Sequence, residues 1–222
     1  MPPASKPAFK DANRAQLSIL APLEKRTLLW LAARMPAAVN SDHLTVLGFL
    51  SLIGAGLSYW YARTDRIGLI FVIGFLILNW FGDSLDGTLA RYRQRLRPRY
   101  GFYVDHVVDM FGTFFLLSGL GLSGYMSFPL AMALVIGYFM LSIEVYLTTY
   151  TIGTFHLSFW KFSPTELRIL LAIGNIALLV RGGGVKIAGQ QMLLFDVGGA
   201  VGLSKIAREL AIVRREVSGS AL

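Results

Sequence analysis

GDSLDGTLARYRQRLRPRYGFYVDHVVD, residues 82–109, is the stretch on which the fold turns. It joins the end of one apolar run to the start of the next. Asp83 and Asp86 stand three residues apart before the joint, and Asp105 and Asp109 stand four apart after it. Spacings of three and four place side chains on one face of a helix. The intervening Arg91 to Arg99 is short and turns the chain back, so the two pairs are expected at similar depth, facing each other. Four carboxylates packed together do not all stay ionised without a cation. A hard divalent ion with oxygen ligands, Mg²⁺ first, answers that need. Acids at this depth in apolar helices are functional candidates by default.

Composition points the same way. Of the 222 residues, 55% are hydrophobic and 15% are charged, against about 25% charged in a typical soluble domain. The net charge of +8 suits either nucleic acid or an anionic membrane surface. The long apolar runs decide for the lipid bilayer, with no nucleic-acid partner. Cysteine is absent, which excludes disulfides and thiolate metal sites. Residues 1–20 lack the apolar core and cleavage site of a secretory signal.

The expected fold is all-α: a polytopic membrane helix bundle with six transmembrane helices and an N-terminal interfacial amphipathic helix. The interfacial helix covers 22–34, where leucines alternate with Glu24, Lys25, Arg26 and Arg34 around Trp30. The apolar segments run about 43–62, 67–90, 101–125, 129–155, 164–180 and 190–210. The first follows Ser41 and Asp42 as candidate caps. The fifth opens at Ser163-Pro164-Thr165-Glu166, a capping-box spacing with proline at the first helical position. Gly182-Gly183-Gly184 marks a flexible break between the last two segments, and no strand alternation competes anywhere. With six spans, 17 of the 21 Lys and Arg residues fall on one side. Positive residues favour the cytoplasm, so both termini and the aspartates are expected there. Residues 1–40 read as tail and interfacial helix, 41–212 as the membrane domain, and 213–222 as a C-terminal tail.

The pattern Asp83-x-x-Asp86-Gly87-x-x-Ala90-Arg91, nine residues, then Gly101-x-x-x-Asp105-x-x-x-Asp109 resembles the signature of the CDP-alcohol phosphotransferases. All of its fixed positions are present. The first span departs from many relatives, with Ser41-Asp42 where they carry a Pro-Asn pair. The resemblance implies transfer of a substituted phosphate from a CDP-linked donor to an alcohol, with release of CMP. It implies that Asp83, Asp86 and Asp105 hold metal, a pair of Mg²⁺ or Mn²⁺ ions, and that Asp109 touches metal and serves as general base on the acceptor. Two ions roughly 3.5–4 Å apart suit neutralisation of a diphosphate and its leaving group. Gly87, Ala90, Arg91 and Gly101 are implied substrate-binding positions, the glycines leaving room for the nucleotide. A short chain with a cytoplasmic site favours a CDP-diacylglycerol lipid donor and a small hydroxyl acceptor. The alternative inside the family is transfer of a CDP-linked choline- or ethanolamine-type headgroup to diacylglycerol. The resemblance also implies a homodimer.

Other residues are weaker candidates. Arg168, one turn into the fifth span, is a candidate for the acceptor site. Lys161 and the Arg93–Arg99 cluster share that side, where positive-inside topology also accounts for them. His106 lies on a different face from its aspartate neighbours and reads as a packing residue. Glu144 is expected to line the active cavity or to pair with an arginine. Gly112, Gly119 and Gly121 read as helix-packing positions, and Tyr59 and Trp60 as an outer aromatic belt. The rival class is an ion or proton transporter built on the same aspartates, which leaves Gly87, Ala90-Arg91 and Gly101 without a reason.

Overall fold

In the computed structural model, residues 21–152, 164–182, 185–187 and 190–219 are described. They form seven helices: α1 (Ala21–Arg34), α2 (Ser41–Tyr61), α3 (Ile67–Tyr92), α4 (Pro98–Leu122), α5 (Phe128–Ile152), α6 (Pro164–Arg181) and α7 (Leu194–Gly219). Three of them, α2, α3 and the Phe128–Thr148 part of α5, are long and apolar enough to cross a membrane. The remaining long helices carry more charge along their length, including Asp105 and Asp109 in α4 and Lys205, Arg208 and Glu209 in α7.

Two local expectations are corrected. A short antiparallel hairpin pairs Val185–Ile187 (β1) with Gln190–Met192 (β2) where no strand was expected, and β2 takes the first residues of the segment expected as the sixth span, whose helix starts at Leu194 instead of about 190. Pairing satisfies backbone groups that a bare loop would leave to solvent. Tyr59 belongs to no aromatic belt: it is fully buried, its hydroxyl accepts from Asn175 Nδ2 at 3.0 Å, and its ring meets Phe195 edge-on. Trp60, the next residue, is exposed.

The cap of α2 is Asn40, one residue before the expected pair, with its N–H donating to His43 Nδ1 at 3.2 Å. Ser41 and Asp42 are thereby released for other partners. The α3–α4 turn closes in few residues because Gln94 takes a left-handed backbone conformation, φ 55°. Proline in the first turn of α4, Pro98, then suits the start of a helix.

The close packing is that of α2 against both α3 and α4. Small residues make it possible. A Cβ added at Gly82 would lie 2.5 Å from Leu44 O, and one at Gly48 would lie 3.2 Å from Asp83 N. On the other flank, a Cβ at Gly119 would lie 2.0 Å from Gly56 O. So α2 sits as a wedge between the two aspartate-bearing helices. Gly112 against Leu52 and Gly121 against Ala131 complete the packing role expected of these glycines. The main core gathers Tyr59, Leu69, Val72, Leu76, Leu120 and Leu178, and a second cluster of Leu28, Ala32, Leu44, Leu85 and Leu89 fixes α1 beneath α2 and α3.

Gly119→Val is expected to break the α2–α4 contact, since its obstacle is backbone and helices must part to admit it. Overpacking of this kind costs about 1–3 kcal/mol or more. Thermal unfolding in detergent should show a large loss of midpoint for Gly119→Val and little for Gly74→Ala, whose Cβ meets nothing within 4 Å. Equal midpoints for the two variants would contradict the wedge packing.

Candidate active site

The N-terminal half of α2, the C-terminal half of α3 and the N-terminal half of α4 enclose a narrow cleft. Its walls include Thr45, Gly48, Asn79, Asp83, Asp86, Asp105 and Asp109. All four signature aspartates therefore line one space, as their spacing indicated. Among the described residues, no three acidic or histidine side chains already converge as a ligand set for one ion. The two pairs share this cleft with the Thr45–Gly48 stretch of α2.

Each carboxylate has its own surroundings. Asp86 is buried and accepts from Thr45 Oγ1 at 2.7 Å and from the Gly87 N–H, while its backbone carbonyl accepts from Ser41 Oγ at 3.0 Å. Asp83 is partly open and pairs with Arg168 of α6. The Arg168 Nε donates to Asn79 Oδ1 at 2.7 Å, and Asn79 Nδ2 donates to Gly48 O at 2.9 Å. One chain of contacts thus runs from α6 through α3 into the small face of α2. Asp109 lies in the combined field of Asp83, Asp105, Asp86 and the Arg168 guanidinium. Tyr138 and Tyr146 of α5 lie within electrostatic reach of it.

The other candidates fall in distinct places. Arg168 joins the cleft through Asp83. Gly87, Ala90, Arg91 and Gly101 are not among its lining residues; they continue α3 beyond Asp86 and open α4 before Asp105. A Cβ at Gly87 would be in ordinary contact with the Arg91 guanidinium, at 3.7 Å, and one at Gly101 would meet nothing within 4 Å, so Gly101 borders open space. His106 lies tilted against Phe102 with ring centres 4.1 Å apart and meets Tyr146 edge-on, in keeping with a packing role. Glu144 lines a separate cavity of about 610 Å³ between α5 and α7, with Arg214 and Arg215. Arg93 donates to the carbonyls of Met35, Pro36 and Val39, and Arg97 pairs with Asp42. Those two arginines of the basic loop therefore brace the α1–α2 connection. Lys161 and Ser163 lie outside the described residues.

Sequence reasoning passed over Thr45 and Asn79. A signal was present for both. Ser41, Thr45 and Gly48 form a polar and small stripe at helical spacing on an otherwise apolar segment, and Asn79 is one turn before Asp83 on the same face.

The fold and cleft define a class: a helical membrane protein with an acid-lined site of oxygen donors. A model of the CDP-alcohol phosphatidyltransferase family matches residues 39–200, and the chain belongs to that family. No curated protein matches the sequence. Membership makes the protein an integral membrane transferase of phospholipid synthesis, with a CDP-alcohol donor and an alcohol acceptor. The family is generally dependent on divalent metal.

Proposed function

We propose that the protein transfers the phosphatidyl group of CDP-diacylglycerol to a small hydroxyl acceptor, with release of CMP. The observation that carries this reading is the gathering of Asp83, Asp86, Asp105 and Asp109 around one cleft in a chain of this family. The donor set fits a hard divalent cation in kind, being carboxylate oxygens with no sulfur or imidazole among the lining residues. Asp83, Asp86 and Asp105 would hold it, with Asp109 at its edge. Bound there, Mg²⁺ or Mn²⁺ supplies neutralisation of the diphosphate and of the leaving CMP.

The chain's own residues do the remainder. Thr45 and the Gly87 N–H hold Asp86 in one orientation. Arg168, fixed by Asn79, tempers the negative charge at Asp83 and stands on the side from which an anionic acceptor would be drawn. Asp109 accepts the proton of the acceptor hydroxyl as that oxygen bonds to the donor's lipid-linked phosphorus. The bond from that phosphorus to the CMP oxygen breaks, and CMP leaves with the electron pair. Gly87 and Gly101, without side chains, give the nucleotide a close approach to backbone, and Arg91 lies beside Gly87 to meet a phosphate oxygen. Six spans, with α4, α6 and α7 joining the three apolar helices, place the cleft and both termini at the cytoplasmic face, where a water-soluble acceptor arrives.

Purified protein given CDP-diacylglycerol, Mg²⁺ and a panel of small alcohols is expected to release CMP with at least one of them. Chelation with EDTA should remove the activity and added Mg²⁺ or Mn²⁺ should restore it. Release with diacylglycerol and a CDP-linked headgroup instead would reassign the donor. No metal-dependent CMP from any donor would sink the enzyme reading.

A further inference from the structure

Both members of the Asp83–Arg168 pair have neighbours tied to a third side chain. Glu24 of α1 accepts at a single oxygen, Oε1, from Trp80 Nε1 at 2.9 Å, from Thr165 Oγ1 at 2.7 Å and more weakly from Ser84 Oγ at 3.4 Å. Trp80 is three residues before Asp83 and Ser84 is the residue after it. Thr165 is three residues before Arg168. So one carboxylate in the N-terminal helix bridges α3 and α6 at the level of their ion pair.

The rest of the packing shows why such a bridge matters. α6 packs chiefly on α3. Its far end is pinned by Asn175, which donates to Tyr59, and by the buried Leu178. Its near end is held by Arg168 and by Thr165. α1 itself is firmly seated: Leu28 and Ala32 are buried against Leu85 and Leu89, and Arg93 grips the carbonyls that follow the helix. Glu24 therefore reaches from a fixed support. A carboxylate accepting several hydrogen bonds makes charge-assisted contacts, stronger than neutral ones.

We infer that Glu24 is a positioning residue, which holds the first turn of α6 against α3 so that Arg168 stays on Asp83 and Asn79. The inference rests on the cleft being the active site, yet it concerns a distance that is measurable without turnover. Glu24→Ala removes the acceptor, whereas Glu24→Gln keeps an Oε1 that receives the same three donors.

Two measurements test it. In the full chain, Glu24→Ala is expected to lower the kcat of CMP release roughly 10- to 100-fold, the size of effect that a displacement of about 1 Å can produce. Glu24→Gln should recover most of the rate. In an Arg168→Ala background, Glu24→Ala should change the rate less than about twofold, because the two act through one element. Multiplicative losses would overturn the inference and leave Glu24 as an anchor of α1 only. The chain has no cysteine, so spin labels at the exposed positions Tyr92→Cys on α3 and Leu167→Cys on α6 report the spacing of the two helices directly. Glu24→Ala should broaden or lengthen that distance and Glu24→Gln should leave it alone. An unchanged distribution in Glu24→Ala overturns the inference even if the protein releases no CMP, in which case the enzyme reading fails separately.

Discussion

Asp109→Asn is expected to lower CMP release by about 10²–10⁴-fold, the usual contribution of a positioned general acid or base. Asparagine keeps the shape of the side chain and loses its basicity. The substitution also removes one negative charge from a cleft shared with Asp83, Asp86 and Asp105, and it hardly changes the volume of the side chain. The outcome is therefore specific: turnover falls while the nucleotide still binds in the presence of Mg²⁺. Calorimetry with CMP and single-turnover assays on the same preparation separate the two. A variant that turns over like the native chain would remove Asp109 from the role of base. One that loses nucleotide binding together with turnover would place it among the residues that hold the metal.

Asp86→Ala is expected to abolish metal-dependent activity, by roughly 10³-fold or more, because metal stabilisation of a transferring phosphoryl group is worth several kcal/mol. Asp86 is the most enclosed of the assigned ligands and the one with the most defined orientation, held by Thr45 Oγ1 at 2.7 Å and by the Gly87 N–H. Thr45→Val tests that orientation without removing the carboxylate. Partners that orient metal ligands typically contribute 10–100-fold to metal affinity. Thr45→Val should therefore raise the Mg²⁺ concentration for half-maximal rate by about 10-fold or more, with a smaller change in rate at saturating Mg²⁺. Unchanged Mg²⁺ dependence in Thr45→Val would show that the hydrogen bond does not act on the metal site.

These expectations separate the transferase from a transporter that uses the same acids. A transporter would lose ion coupling on acid substitution and would show no dependence of CMP release on Asp109. It would also give no part to Gly87 and Gly101, which the proposed transferase assigns to the approach of the nucleotide.

Much of the architecture was legible in the linear pattern. Apolar runs bounded by polar or small residues mark where helices begin and end, because a helix buried in apolar surroundings satisfies its backbone within itself. The limits of α2, α3 and α5 follow those runs within a few residues. The aspartates were legible for a related reason: helical periodicity assigns Asp83 with Asp86, and Asp105 with Asp109, to common faces irrespective of what packs nearby. Their joint place on one cleft follows once the short loop folds α4 back.

What the sequence determined by itself, then, is the identity of the four carboxylates and the helices that carry them. Only the tertiary structure decided what lies between and around them. That α2 packs closely on both α3 and α4 depends on the match of Gly48 with Gly82 and of Gly56 with Gly119 across helix faces. That Tyr59 is buried while Trp60 is exposed depends on which face α6 and α7 cover. The partners of the acids, Thr45 from 41 residues away and Arg168 from 85, come from helices remote in the chain. The bridge from Glu24 to Thr165 spans 141 residues. Periodicity constrains neighbours within one helix; contacts between helices depend on how complementary surfaces meet, and no local pattern specifies that.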